Sequence, residues 1–96
     1  MIPLFKFKIE GNSMLPTFKS GDIVLVNRLS YFFSRPKIGD IVVLKKEKYT
    51  IKRVLRVNKE EVFVLGDNRK ESADSRKFGW VSKKEIVGKV IFEMPK

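Results

Sequence analysis

The strongest constraint on this chain is the period of its apolar residues, which is two almost everywhere and helical almost nowhere. Phe5, Phe7 and Ile9 alternate with Lys6 and Lys8, so a strand there buries one face and wets the other. Within Tyr49–Asn58, Ile51, Leu55 and Val57 face away from Lys52, Val54 and Arg56. Short apolar runs at Ile23–Val26, Ile41–Leu44, Val62–Leu65 and Ile86–Phe92 read as further strands, some buried on both faces. Turn residues separate them: Gly21-Asp22, Pro36, Gly39-Asp40, Asn58-Lys59 and Gly66-Asp67-Asn68. The one window with a helical look is Ser13–Lys19, where Ser13 caps a short turn and Pro16 stops it. The pattern predicts an all-β domain of roughly six or seven strands, curled into a small barrel-like set of antiparallel sheets. A chain of 96 residues holds one core, so 1–96 reads as a single domain.

The sequence contains neither histidine nor cysteine. That excludes a Ser-His-Asp triad, a Cys-His dyad, zinc fingers and histidine-ligated metals, and leaves Ser, Thr, Lys and carboxylates as reactive groups. No metal and no cofactor is expected. The charge is 21 Lys plus Arg against 11 Asp plus Glu, a net of +10. Such an excess points to nucleic acid, anionic lipid or an acidic partner. It is spread evenly, however, with no basic arm. No apolar run approaches the ~20 residues of a membrane helix, and Met1 to Ile9 alternates with lysine where a signal peptide would be continuously apolar. As it stands the chain reads as carrying no membrane span and no secretion signal.

Three segments hold candidate chemistry. Ser13 lies in Gly11-Asn12-Ser13-Met14-Leu15-Pro16-Thr17, a tight turn between strands that would present backbone N–H groups as an oxyanion hole does. The plainer reading is an ordinary helix-cap or turn serine. Lys52 sits mid-strand in Thr50-Ile51-Lys52-Arg53-Val54, with no carboxylate within three residues. A lysine is neutral in only about one molecule in 2,500 at pH 7, so it serves as a base only where burial or neighbouring positive charge lowers its pKa. The plainer reading is a surface lysine on an edge strand. The third segment, 66–81, is densely polar between two apolar strands, and its Asp67, Ser72, Asp74, Ser75 and Arg76 are able to satisfy one another.

Taken together and in order, Ser13-Met14-x-Pro16-Thr17, Gly39-Asp40-Ile41-Val42-Val43, Ile51-Lys52-Arg53-Val54 and Gly66-Asp67-Asn68-x-x-x-Ser72-x-Asp74-Ser75-Arg76 resemble the conserved boxes of type I signal peptidases. The resemblance implies the catalytic β-fold of that family and a serine–lysine dyad that removes an N-terminal leader or signal peptide from a precursor polypeptide. It implies Ser13 as nucleophile and Lys52 as general base, with Ser72 orienting the lysine. It further implies the Ser13 backbone N–H as oxyanion donor, Arg53, Asp67, Asp74 and Arg76 as supporting ion pairs, and Met14 and Pro16 as substrate contacts. Gly11 departs from the better-known bacterial members, which have a serine there whose hydroxyl helps bind the oxyanion. The short spacings between boxes leave out the large accessory β-domain of many members.

Two biological settings fit this resemblance. Peripheral action at a membrane draws support from the aromatic patch Leu29-Ser30-Tyr31-Phe32-Phe33, which beside a basic surface would dip into an anionic bilayer interface or, alternatively, cover the core. A cytoplasmic, soluble maturation protease, of the type that processes nickel superoxide dismutase, fits a complete chain without an anchor. Self-cleaving repressors share the dyad but need a cleavable segment before the nucleophile, which the first ten residues do not supply. A different class of reading is a non-catalytic basic β-barrel that stacks single-stranded nucleic acid on Phe, Tyr and Arg.

Overall fold

A computed structural model of the chain describes residues 3–95. Its strands are β1 (Leu4–Lys8), β2 (Ile23–Asn27), β3 (Ile41–Lys45), β4 (Tyr49–Val57), β5 (Glu61–Leu65), β6 (Val81–Ser82) and β7 (Ile86–Glu93). All seven join one antiparallel sheet in the order β1-β2-β7-β3-β4-β5-β6, curled as a half-barrel. Two four-residue helices, α1 (Ser30–Phe33) and α2 (Ser75–Phe78), occupy connections that sequence periodicity does not reveal as helical.

The curl divides the core in two. Ile9, Met14, Phe18, Val24, Val26, Val43 and Ile51 form one apolar cluster, and Val42, Leu44, Val54, Val62, Val64 and Val81 form the other. Val43 points into the first while its neighbours Val42 and Leu44 point into the second, so β3 is buried on both faces. This is why Ile41–Leu44 is continuously apolar while β1 alternates.

Strict alternation fails in β4. Val54 pairs with Val64 and Arg56 with Phe63, so Leu55 is an extra residue at a bulge. The bulge resets the phase, which lets Val54 and Val57 face the same cluster and leaves Leu55 exposed. Ser13–Lys19 likewise departs from expectation. It forms consecutive turns, closed by Leu15 N–H to the Asn12 carbonyl and Phe18 N–H to the Met14 carbonyl, with a cis Leu15–Pro16 bond and no helix.

Candidate active site

β4 lies between β3 and β5 and is an interior strand, not an edge. Lys52 stands opposite Val42 in the β3–β4 register and so shares the face of Val42, Leu44 and Val54. A lysine placed in the apolar phase of a central strand is forced inward, and Lys52 is only 3% exposed. Its amine donates to Ser13 Oγ at 3.1 Å and to Thr50 Oγ1 at 3.2 Å. Burial lowers the pKa of the Lys52 amine. The Asp74 carboxylate acts in the opposite direction and the Lys48 ammonium adds to the lowering.

Ser13 reaches Lys52 from the turn that leaves β1. The hydroxyl is not a helix cap, because no helix starts there. Gly11 makes the turn possible with φ of 78°, a left-handed conformation in which any side chain would be strained. Nothing lies within 4 Å of where a Cβ would be, so the backbone, not crowding, favours glycine at this position.

The polar segment after β5 clamps this turn. Asn68 N–H donates to the Ser13 carbonyl at 2.8 Å and Asn68 Nδ2 to the Asn12 carbonyl at 3.0 Å. Asp67 receives a paired contact from Arg53, Nε to Oδ1 and a terminal nitrogen to Oδ2, both at 2.8 Å, and a bond from Thr17 Oγ1 at 2.6 Å. Arg53 also donates to the Gly39 carbonyl at 2.9 Å. The Asp67–Arg53 pair therefore joins the Ser13 turn, β4 and the loop before β3. The Arg53 contact holds the Asp67 carboxyl below its ordinary pKa.

Asp74 is fully buried. Desolvation alone would raise its pKa, but Arg76, the Gly66 N–H, Ser72 and the Arg76 N–H drive it well below the carboxylate range. It is therefore an anion facing the Lys52 amine, paired with Arg76 at 2.9 Å. Ser75 closes the loop onto the sheet, its hydroxyl accepting from Val64 N–H at 2.9 Å.

The two supporting pairs thus form as Arg53 with Asp67 and Arg76 with Asp74. Ser72 is placed differently from expectation. Its Oγ accepts from Gly66 N–H at 3.1 Å and bonds Asp74, and it reaches the lysine through Asp74, while Thr50 Oγ1 is the second hydroxyl bonded to the amine. Thr50 was not singled out from sequence, although its i, i+2 relation to Lys52 on one strand puts both side chains on the same face. The two expected substrate contacts do not reach this site. Met14 has no exposed surface and belongs to the core, and Pro16 lines a separate hollow with Leu15 and Lys19.

Ser13 sits where two clefts meet. One, of about 310 Å³, runs along β1 and the start of β4, and the other, of about 570 Å³, is walled by Glu47, Lys52, Glu71, Ala73 and Phe78. Phe5 and Phe7 turn inward onto the core, away from the exposed Lys6 and Lys8. That removes the aromatic stacking face a nucleic-acid reading requires there. Among the described residues no group of His, Cys, Asp and Glu is arranged to hold a metal ion.

Comparison with known proteins identifies the family. The family described as signal peptidase, peptidase S26, matches residues 1–56 and 47–94. Signal peptidase I of Bacillus caldolyticus is 34% identical over 90% of this chain and 76% of its own length. That alignment runs over 140 positions, more than this chain has residues, so the relative carries additional residues within the matched region. Probable signal peptidase I-1 of Synechocystis is 30% identical over 88% of this chain and 67% of its own length. A mitochondrial ATP-independent inner membrane protease subunit of Arabidopsis thaliana is 34% identical over 88% and 66%. The chain belongs to the signal peptidase family, peptidase S26, and is a serine-type endopeptidase.

Proposed function

We propose that Ser13 and Lys52 form the catalytic dyad of this peptidase and that its substrate is a precursor polypeptide from which an N-terminal leader or signal peptide is removed. The observation that carries the reading is the 3.1 Å contact between Ser13 Oγ and a lysine amine that burial biases toward its neutral form. Neutral Lys52 takes the Ser13 proton as Oγ attacks the scissile carbonyl. The ammonium then gives that proton to the leaving amine, and the same amine activates water against the acyl-enzyme. Thr50 keeps Nζ aimed at Oγ. The Ser13 N–H serves as an oxyanion donor, with no side-chain hydroxyl available from Gly11. Arg53, Asp67, Asp74 and Arg76 keep the segments in register, and an extended substrate adds along the free edge of β1.

The site of action we propose is a membrane surface. Among the described residues no helix is long and apolar enough to cross a bilayer. Tyr31 packs against the core and donates to Asp40 at 2.7 Å, whereas Phe32 and Phe33 are 76% and 86% exposed. Beside them lies a cleft of about 680 Å³ lined by Arg28, Arg35, Lys59, Lys83 and Lys84 and by no acidic residue. Exposed aromatics next to unopposed cations suit an anionic interface. Co-sedimentation with phosphatidylglycerol vesicles tests this, and no binding at low salt contradicts it. For the dyad, Ser13→Ala and Lys52→Met should each lower precursor cleavage by about 10³-fold or more with the fold retained. Cleavage near the parental rate by either folded variant overturns the assignment.

A further inference from the structure

The two clefts that meet at Ser13 differ in charge: the β1 cleft is net positive, whereas lysines and glutamates balance in the other. They share Glu10, Lys48 and Thr50, but only the β1 cleft holds Lys6 and Lys8. Both lysines are exposed on one face of β1, two residues apart, and neither is in an ion pair among the described residues. The opposite cleft adds Glu47 and Glu71. Its Lys46 is already engaged, with Nζ 3.2 Å from Glu85 and 5.0 Å from the Phe78 ring centre, and its Lys52 is biased toward neutrality by burial. A chain threaded across Ser13 therefore passes from a net positive arm to one where Glu47 and Glu71 offset the lysines.

Among the described residues β1 ends the sheet, pairing with β2 alone. A peptide added to its free edge places every second side chain on the face of Lys6 and Lys8, where opposite charges across strands attract. We propose that this peptidase selects precursors with acidic side chains at alternate positions on the β1 side of the cut and without them on the other side. The inference rests on Ser13 as the point of cleavage. It makes Lys6 and Lys8 specificity residues that take no part in the bond chemistry, with Glu47 and Glu71 rejecting acidic residues in the other arm.

The test uses extended peptides with alanines at the centre and two aspartates at alternate positions, either before or after the cut, with an asparagine peptide as reference. Binding is read by fluorescence anisotropy on the Ser13→Ala variant, and cleavage is read on the parent protein. One aspartate isomer should bind about three- to tenfold more tightly than its mirror arrangement at low salt, and the difference should shrink as salt rises. The double variant Lys6→Glu, Lys8→Glu should reverse the preference. Lys59→Glu with Lys84→Glu, an equal charge change at the distant basic cleft, should leave it in place. Equal binding of the isomers, no binding of any peptide, or equal loss of preference in the control variant overturns the inference. Selective binding without cleavage by the parent protein supports it and counts against the dyad. Cleavage without charge preference does the reverse.

Discussion

Gly66 is packed so closely against Ser13 that an added Cβ would lie 2.6 Å from the Ser13 carbonyl oxygen and would also overlap the Ser72 side chain. The same carbonyl accepts the Asn68 N–H. The polar loop therefore seats the Ser13 turn through backbone contact, and glycine at 66 is a requirement of close approach. Gly66→Ala should destabilise the fold by about 1–3 kcal/mol, as overpacking does. It should lower activity further than that loss explains, because Ser13 itself must shift. Urea melts paired with cleavage rates at a temperature where both proteins are folded check this. A variant with normal kcat contradicts it.

Thr50 is expected to matter through the lysine. Removing its hydroxyl in Thr50→Val deletes one of the two polar partners of Nζ, and a bond to a charged or basic group is worth about 1.5–3 kcal/mol. Loss of that magnitude in the transition state lowers kcat by roughly 10- to 100-fold. Thr50→Ser should recover most of the rate, which separates positioning from packing.

The pH profile follows from the charges around Lys52. Activity requires the neutral amine, so kcat/KM should rise with pH through the lowered Lys52 pKa. Lys48 contributes repulsion that favours the neutral form, so Lys48→Gln should move the acid limb to higher pH. Asp74 contributes attraction to the ammonium, so Asp74→Asn should move that limb to lower pH in whatever fraction folds. Opposite shifts from the two variants are the expected outcome, and shifts in the same direction contradict it.

Stability should fall in acid for a separate reason. The carboxyls of Asp67 and Asp74 are both held below their unfolded values, Asp67 chiefly by Arg53 and Asp74, against its burial, chiefly by Arg76. Each contributes stability that is present above about pH 4 and is lost as pH falls through the folded pKa. Melting temperatures measured from pH 7 downward should drop below about pH 4, and Asp67→Asn should flatten part of that drop. An unchanged slope in Asp67→Asn removes the Arg53 contact from the account.

Much of this was legible in the residues themselves. The alternation of Phe5–Ile9 and the runs at Ile41–Leu44 and Val62–Leu65 specify strands because burial on one or two faces dictates those patterns. The ordered boxes around Ser13, Lys52 and Gly66–Arg76 brought the same residues together that the fold does. The rest depends on phase and depth. Lys52 looks like an edge lysine until β4 is known to be central, and Leu55 looks like core until the bulge resets the register. Met14, adjacent to the nucleophile in sequence, points to the opposite side of the turn and is consumed by the core. Thr50 became visible only once both neighbours of Nζ were seen.

The central claim is that burial lowers the Lys52 pKa so that its neutral amine serves Ser13. Carbon-13 labelling of lysine Cε, with Lys52→Arg to assign the resonance, allows its titration to be followed by NMR in the intact protein. The account predicts that Lys52 loses its proton at lower pH than an ordinary lysine does. Because the folded pKa lies below the unfolded one, folding stability should also rise with pH across that interval. A Lys52 resonance that titrates at the ordinary lysine value of about 10.4 contradicts the claim.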